Sequence, residues 1–305
     1  MQLSLDRARP APPAAAGPGA QTWLVTPGIT PTRFASAVGS GAEAVLLDLE
    51  DSVPAEAKAG ARESVLTFAG RCPPRGAGPL LGVRINSVDT PEGLRDLTAM
   101  ADRGLWPDLV VVPKVESGDV VASVVQSVHA ARAATRVWAL IESPRAVLAL
   151  PDIVRTPGLA GVLFGAADYA AAAGCRITPR AMWYPRSQLV TAAAAAGIPA
   201  VDSPHFSPDP GELRRETLEA VELGFAGKVA VHPRQLPVIA QAFAPSPQEL
   251  ETARAVLAAA TGAGGRITTV GGAMVGPPLV EAARAVVRRA ERVAGLTAIP
   301  TTEAS

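Results

Sequence analysis

Short runs of apolar residues alternate along this chain with longer stretches whose apolar positions recur every three or four residues. The short runs read as strands over residues 23–26, 44–48, 80–85, 109–112, 137–141, 162–164, 200–202 and 228–231. Helical spacing predicts helices between them, over residues 31–38, 55–68, 91–102, 119–134, 144–150, 179–196 and 210–223. Proline stands at or near a first helical turn at Pro91, Pro144, Pro179, Pro210 and Pro233, where its missing N–H costs nothing. Strands that alternate with helices pair in parallel, and eight such units close on themselves. The expected fold class is therefore α/β, a (β/α)8 barrel. An open doubly wound sheet is the alternative, and no Gly-x-Gly-x-x-Gly turn follows the first strand to support it.

The pattern changes at both ends. Residues 1–20 are rich in Pro and Ala and lack the apolar centre of a signal peptide, so they read as a disordered leader. Residues 21–245 form the expected barrel. Residues 246–305 form a short C-terminal appendage, with helices over 247–260 and 277–293. Gly262-Ala263-Gly264-Gly265 and Gly271-Gly272 flank residues 266–270 between those helices, which suggests a glycine-rich hinge and a lid that swings over a barrel mouth.

Composition narrows the class. The chain has 305 residues, 48% hydrophobic and 18% charged, enough for one large core. Its formal net charge is zero and no basic stripe is present, which argues against a nucleic-acid partner. No segment is apolar for long enough to span a membrane. Cys72 and Cys175 are far apart and form no metal-binding pair, which fits a reducing, cytoplasmic setting.

Polar residues collect where the strands end. Asp48-Leu49-Glu50-Asp51-Ser52 follows the second strand, Arg84-Ile85-Asn86 the third and Pro113-Lys114-Val115-Glu116 the fourth. Glu142-Ser143 follows the fifth, Asp168 the sixth, Asp202-Ser203 the seventh and His232-Pro233 the eighth. In such barrels the chemistry sits at the C-terminal ends of the strands. Glu142 and Asp168 can supply oxygen ligands to one Mg²⁺, with Mn²⁺ as a substitute, while leaving positions open for substrate. Arg84 offers a fork that suits a substrate carboxylate. Metal and Arg84 together would grip an α-keto acid, which is the setting for aldol or Claisen chemistry.

Each residue also has a structural reading. Glu142 and Asp168 could cap the helices that follow them. Asp48, Glu50 and Asp51 could form a supporting network or pair with Lys58 and Arg62. Lys114 could form a Schiff base, although Glu116 and Glu50 nearby would keep it charged and paired. His232 reads as a loop-fixing residue, His129 as surface, and Cys175 lacks a base beside it. Trp183, Tyr184, His205 and Phe206 are candidates to shape the pocket.

The ordered set Asp48-Leu49-Glu50-Asp51-Ser52-Val53 with Lys58 and Arg62, Arg84-Ile85-Asn86, Pro113-Lys114-Val115-Glu116, Ile141-Glu142-Ser143-Pro144, Phe164-Gly165-Ala166-Ala167-Asp168-Tyr169, Gly224-Phe225-Ala226-Gly227-Lys228 and Val231-His232-Pro233 resembles the HpcH/HpaI aldolase/citrate lyase family. Within it the chain is most similar to citrate lyase beta-subunit-like proteins and the malyl-CoA and citramalyl-CoA lyases. The resemblance runs from Trp23 to the last helix. It implies a TIM barrel, a homotrimer or hexamer, Mg²⁺ on Glu142 and Asp168, and substrate carboxylate on Arg84. It also implies reversible cleavage of a 3-hydroxyacyl thioester, carried on CoA or a carrier protein, into an α-keto acid and an acyl thioester. Glu50 would sit near the metal.

Two departures stand out. Family members usually open the first strand with Arg, in a region that helps hold the CoA phosphates; this chain has Gln21. Their lid carries Asp-Gly-x-Met-(Ile/Val)-Asp-x-Pro, whose last Asp is the acid/base. Here the stretch reads Gly271-Gly272-Ala273-Met274-Val275-Gly276-Pro277. Three routes are open. Glu50, Asp51 or a metal-bound water moves the proton; or the aldol substrate is not a CoA ester; or the chain hydrolyses a thioester or only binds an α-keto acid.

Overall fold

The computed structural model describes residues 20–72, 78–262 and 267–297. All but the last residue of the expected leader, and most of the Gly262–Gly265 stretch, lie outside these. The described chain packs as two compact units, Met1–Ile239 and Ala240–Ser305.

Eight parallel strands close the first unit into a barrel in simple chain order: β1 Thr22–Pro27, β2 Ala44–Asp48, β3 Leu80–Arg84, β4 Leu109–Val112, β5 Arg136–Ile141, β6 Leu159–Phe164, β7 Ala200–Asp202 and β8 Gly227–Ala230. Thr22 of β1 pairs with Lys228 of β8 and completes the ring. The strands read as unbroken apolar runs because a parallel barrel strand is covered on both faces, by core side chains within and helices outside. Trp23, Leu46, Leu109, Val111, Trp138, Leu140, Leu163 and Val229 belong to one buried cluster. Trp23 and Trp138 meet edge to face within it, ring centres 4.9 Å apart. The upper side chains of this core, Val25, Leu46, Val111, Leu140, Leu163 and Val229, floor the mouth.

Helices begin where the sequence has a capping side chain followed by proline. Thr90 accepts from Gly93 N, Ser143 from Ala146 N, Thr178 from Ala181 N and Asp209 from Gly211 N. Each side-chain oxygen satisfies one of the N–H groups that a helix start leaves open.

Several elements differ from expectation. Residues 144–150 do not make one helix; Pro144–Leu148 stops and Leu150–Ile153 restarts after Ala149. Pro233 does open a first turn, Pro233–Gln235, and the helix Leu236–Phe243 follows it. Helix Ala166–Ala173 is an addition to the expected set; it is nearly all alanine and so carries no apolar stripe to read.

The second unit holds helices Pro247–Gly262 and Pro277–Thr297. Between them lie β9 Thr268–Val270 and β10 Ala273–Val275, an antiparallel pair. Gly271 (φ 57°) and Gly272 (φ 83°) form its two-residue turn, and both need the left-handed backbone that glycine allows. At these two glycines the structure has a tight hairpin turn in place of the expected hinge. No helix of the described residues is long and apolar enough to cross a membrane. Cys72 and Cys175 are both free.

Candidate active site

The strand register brings the mouth together. Asp48 and Arg84 are direct partners at the ends of β2 and β3. Arg84 Nε donates to Asp48 Oδ1 (2.6 Å) and Nη2 to Oδ2 (2.7 Å), a two-pronged pair that shields both groups from water. Asp48 also accepts from Glu50 N and Ser52 N, and this shapes the loop after β2. One side edge of the Arg84 fork is thus filled by Asp48, which leaves the end-on Nη1 and Nη2 hydrogens for a bound anion. Nη1 lies 3.0 Å from Glu50 Oε2 and 3.6 Å from Asp51 Oδ2.

Ile141 of β5 pairs with Phe164 of β6, so Glu142 and Gly165 leave the barrel side by side. Gly165 is required here. A Cβ built on it would meet Glu142 Cβ at 2.5 Å and Glu142 Oε2 at 2.9 Å. Gly165→Ala is therefore expected to push Glu142 aside and to destabilise by about 1–3 kcal/mol, measured by urea unfolding. Asp168 enters from the first turn of the short helix Ala166–Ala173. Neither acid caps a helix, since Ser143 caps one and Gly165 begins the other without a side-chain bond.

Lys114 joins the two acids. Its Nζ donates to Asp168 Oδ2 at 2.6 Å and lies 3.5 Å from Glu142 Oε1. Glu50 Oε1 at 3.5 Å and Asp51 Oδ2 at 3.8 Å complete the surround. Its backbone sits at φ 53°, a left-handed conformation unusual for a side-chain-bearing residue. That turn aims Lys114 N at Glu142 Oε1, 2.7 Å away. Strain of this kind persists where a site holds it in place. The chain gives no sequence signal for it beyond Pro113-Lys114 at a strand end.

Crowding sets the charge states. Burial pushes the Glu50 carboxyl up to about 7, and Asp51 and Asp48 add to the rise against the pull of Arg84 and Lys114. Burial pushes Glu142 up to about 8, helped by its hydrogen bond with Asp168 and by Glu50. Burial also acts to raise Asp168, but the Lys114 hydrogen bond outweighs it and holds the carboxyl below its usual range. Lys114 is held above its ordinary value because Asp168 and the other acids outweigh burial. Glu50 Oε2 is buried, and although close to Arg84 it is out of line for a hydrogen bond.

The sign of the pH dependence follows. The folded chain keeps protons on Glu50 and Glu142 at pH values where the unfolded chain, with carboxyls near 4.5, has released them. Stability of the metal-free chain then falls as pH rises from about 5 to about 8. Urea midpoints across that range, in chelator, should drop, and Glu142→Gln should flatten the slope.

Other strand-end residues stay out of the mouth. Arg62 pairs with Asp96 and Glu92, and Lys58 donates to the carbonyls of Leu49 and Glu50, so the ion pairs expected for Asp48, Glu50 and Asp51 with these cations do not form. Asn86 bonds Asp96. Glu116 accepts from Ser143 and faces Arg145 rather than Lys114. Asp202 is fully buried, holding Arg186 and Lys228. His232 caps the turn Pro233–Gln235. His205 is bonded to Glu216. Phe206 lines the mouth, whereas Trp183 and Tyr184 are simply exposed. Gln21 is buried at the start of β1, the end away from the mouth, and its carbonyl accepts from Lys228 N.

The mouth encloses about 420 Å³, walled by Asp48, Asp51, Arg84, Glu142 and Asp168 over its apolar floor. Among the described residues no three acids, histidines or cysteines converge as a metal cluster. Two adjacent carboxylates, drawn to a common cation here, fit an ion such as Mg²⁺ that takes one or two carboxylates and fills its shell with water or substrate. Barrel and mouth together define a cleft suited to one divalent ion and an anionic substrate.

Comparison with known proteins places it further. The HpcH/HpaI aldolase/citrate lyase family model matches residues 21–233, and the chain belongs to that family. A citrate lyase subunit beta-like protein of Mycobacterium tuberculosis is 36% identical over 284 residues, 90% of this chain and 96% of that one. An L-malyl-CoA/beta-methylmalyl-CoA lyase of Cereibacter sphaeroides is 31% identical over 324 residues, 94% of this chain and 98% of that one. The structure of CitE from Mycobacterium tuberculosis, in complex with magnesium, acetoacetate and coenzyme A, superposes with a TM-score of 0.77 at 32% identity, covering 90% of this chain and 99% of that one.

Proposed function

We propose that this protein is a Mg²⁺-dependent lyase that cleaves, or in reverse forms, a 3-hydroxyacyl thioester, giving an α-keto acid and an acyl thioester. The observation that carries the reading is the meeting of Glu142 and Asp168 on one cation, within reach of the Arg84 guanidinium. Relatives named for CoA-ester cleavage, and a neighbour solved with magnesium and coenzyme A, support the substrate class. CoA and a carrier-borne thioester are both compatible with an open mouth. Gln21 has no part in the choice within one chain, because it is buried at the far end of β1.

Glu142 and Asp168 would hold the ion, with Mn²⁺ able to replace Mg²⁺. When bound, it polarises the oxygen that is a hydroxyl in the substrate and a carbonyl in the keto acid. Arg84 grips the substrate carboxylate with its end-on hydrogens, and Asp48 fixes the angle of the guanidinium. Glu50, beside Arg84 and Lys114, takes the proton of the 3-hydroxyl as the carbon–carbon bond breaks. The electron pair of that bond passes to the thioester, and the resulting carbanion takes back the proton held by Glu50 to give the acyl thioester, so the hydroxyl proton ends on carbon and Glu50 is reset. Asp51, half-exposed at the rim, faces the same two cations, Arg84 and Lys114. Gly276 stands where lyases of this kind carry their lid aspartate, so the proton has to come from within the barrel. Glu50→Gln should lower kcat by about 10²–10⁴, the range for a general acid/base.

A panel of malyl, citramalyl and citryl thioesters with Mg²⁺ tests this. Released keto acid supports cleavage; free thiol without keto acid supports thioester hydrolysis instead. The same reading makes residues 246–305 a lid and the assembly a cytoplasmic trimer or hexamer. Deleting residues 262–305 should harm turnover and spare metal affinity, and sedimentation reports the assembly.

A further inference from the structure

A buried chain of polar side chains runs behind the mouth and takes no part in the chemistry above. Lys228 of β8 is fully buried, and its ammonium uses all three donors: on Asp202 Oδ2 (2.8 Å), on the Ser203 carbonyl (2.7 Å) and on Glu216 Oε1 (2.6 Å). A charge out of water has to be paired this fully, and it fixes its partners in turn. The other oxygen of Glu216 accepts from His205 Nδ1 at 2.6 Å. His205 Nε2 is buried and makes no hydrogen bond among the described residues, so the ring is held through Nδ1. The His205 carbonyl accepts from Gln235 Nε2 at 2.9 Å. His205 is thus pinned through its ring by helix Pro210–Leu223 and through its backbone by the turn Pro233–Gln235. Its two neighbours in the chain, Pro204 and Phe206, line the mouth. That lining is divided. The charged residues Asp48, Asp51, Arg84, Glu142 and Asp168 come from the ends of β2, β3, β5 and β6, whereas the described lining residues at the ends of β7, β8 and β1 are Pro204, Phe206, Val231 and Pro27. Phe206 is 60% exposed and Val231 40%, so the apolar side offers open surface to a ligand.

We infer that His205 and Glu216, locked in place by the buried Lys228, are positioning residues that set Pro204 and Phe206 as an apolar wall of the mouth, and that this wall holds the thioester half of the substrate. The inference rests on the thioester reading above. The charged side is left to the metal and the carboxylate, and His205 acts on the substrate only through the loop it anchors.

The test uses the full chain with Mg²⁺ and reads two quantities: KM for the thioester that is cleaved, and Kd for acetyl-CoA by calorimetry. Phe206→Ala, at an exposed position, should raise both about tenfold and change kcat by less than about twofold, the mark of lost uniform binding. His205→Ala should do the same by releasing the loop. His205→Asn places an amide N–H near the position of Nδ1 and should return both values close to wild type. Because His205 works through Phe206, the double variant His205→Ala/Phe206→Ala should be no weaker than the weaker single variant, whereas independent effects would multiply to about a hundredfold. Unchanged values in Phe206→Ala, effects that multiply in the double variant, or His205→Asn as weak as His205→Ala would each overturn the positioning role. Acetyl-CoA that binds and weakens in this pattern, with no thioester cleaved by the wild type, would instead overturn the lyase reading and leave the wall in place. Neither binding nor cleavage by the wild type would overturn both.

Discussion

Replacing Glu142 by Gln, or Asp168 by Asn, is expected to reduce thioester cleavage by about 10²–10³ or more, comparable to the loss of a single charge-stabilising group at a reacting oxygen. The amide keeps the shape and removes the negative charge the ion needs. The two variants should differ in stability. Glu142 is buried and held partly protonated by its surroundings, so its amide relieves crowding and should raise the urea midpoint above pH 7. Asp168 is a partner of Lys114, and its amide leaves that ammonium with weaker support. Activity falling in both while stability moves in opposite directions would mark the pair as functional. Turnover unchanged in either variant would count against the pair as the metal site.

Arg84→Met should carry the largest cost to folding. Asp48, 1% exposed, would lose both side-chain bonds to its partner and remain as a buried charge. Breaking one member of such a pair costs about 3–5 kcal/mol. Arg84 also holds Asp48 below the usual carboxylate range against the opposing effect of burial, so the wild-type pair contributes stability that is present at neutral pH and lost as pH falls below about 4. Asp48→Asn combined with Arg84→Met should recover part of the loss, because it removes the stranded charge. Urea unfolding at pH 7 measures both. The double variant should still fail to bind keto acid, which separates the structural role of Arg84 from its role as an anchor.

Much of the barrel was legible in the amino-acid sequence. Parallel strands buried on both faces are continuous apolar runs, and all eight could be counted; β2, β4 and β7 match to the residue. Glu142 and Asp168 could be singled out because a charged residue that ends such a run leaves the core at the mouth. What escaped depends on contacts between distant segments. Helix Ala166–Ala173, which carries Asp168, has no amphipathic stripe. The Asp48–Arg84 pair follows from the register between β2 and β3, which no local pattern encodes. Lys114 is a paired cation, as its acidic surroundings suggest, but its partners come from three strand-end loops and include Asp168 rather than Glu116. Asp202 and Arg186 show the converse. A polar residue at a strand end can be wholly buried in an ion pair with the helix behind it.

The most direct measurement is the anomalous density of Mn²⁺ in a crystal of the full chain. One peak is predicted at the mouth, coordinated by one oxygen of Glu142 and one of Asp168 at about 2.1 Å, with the Lys114 ammonium displaced from between them. A peak bound by only one of these carboxylates, or by neither, would contradict the account.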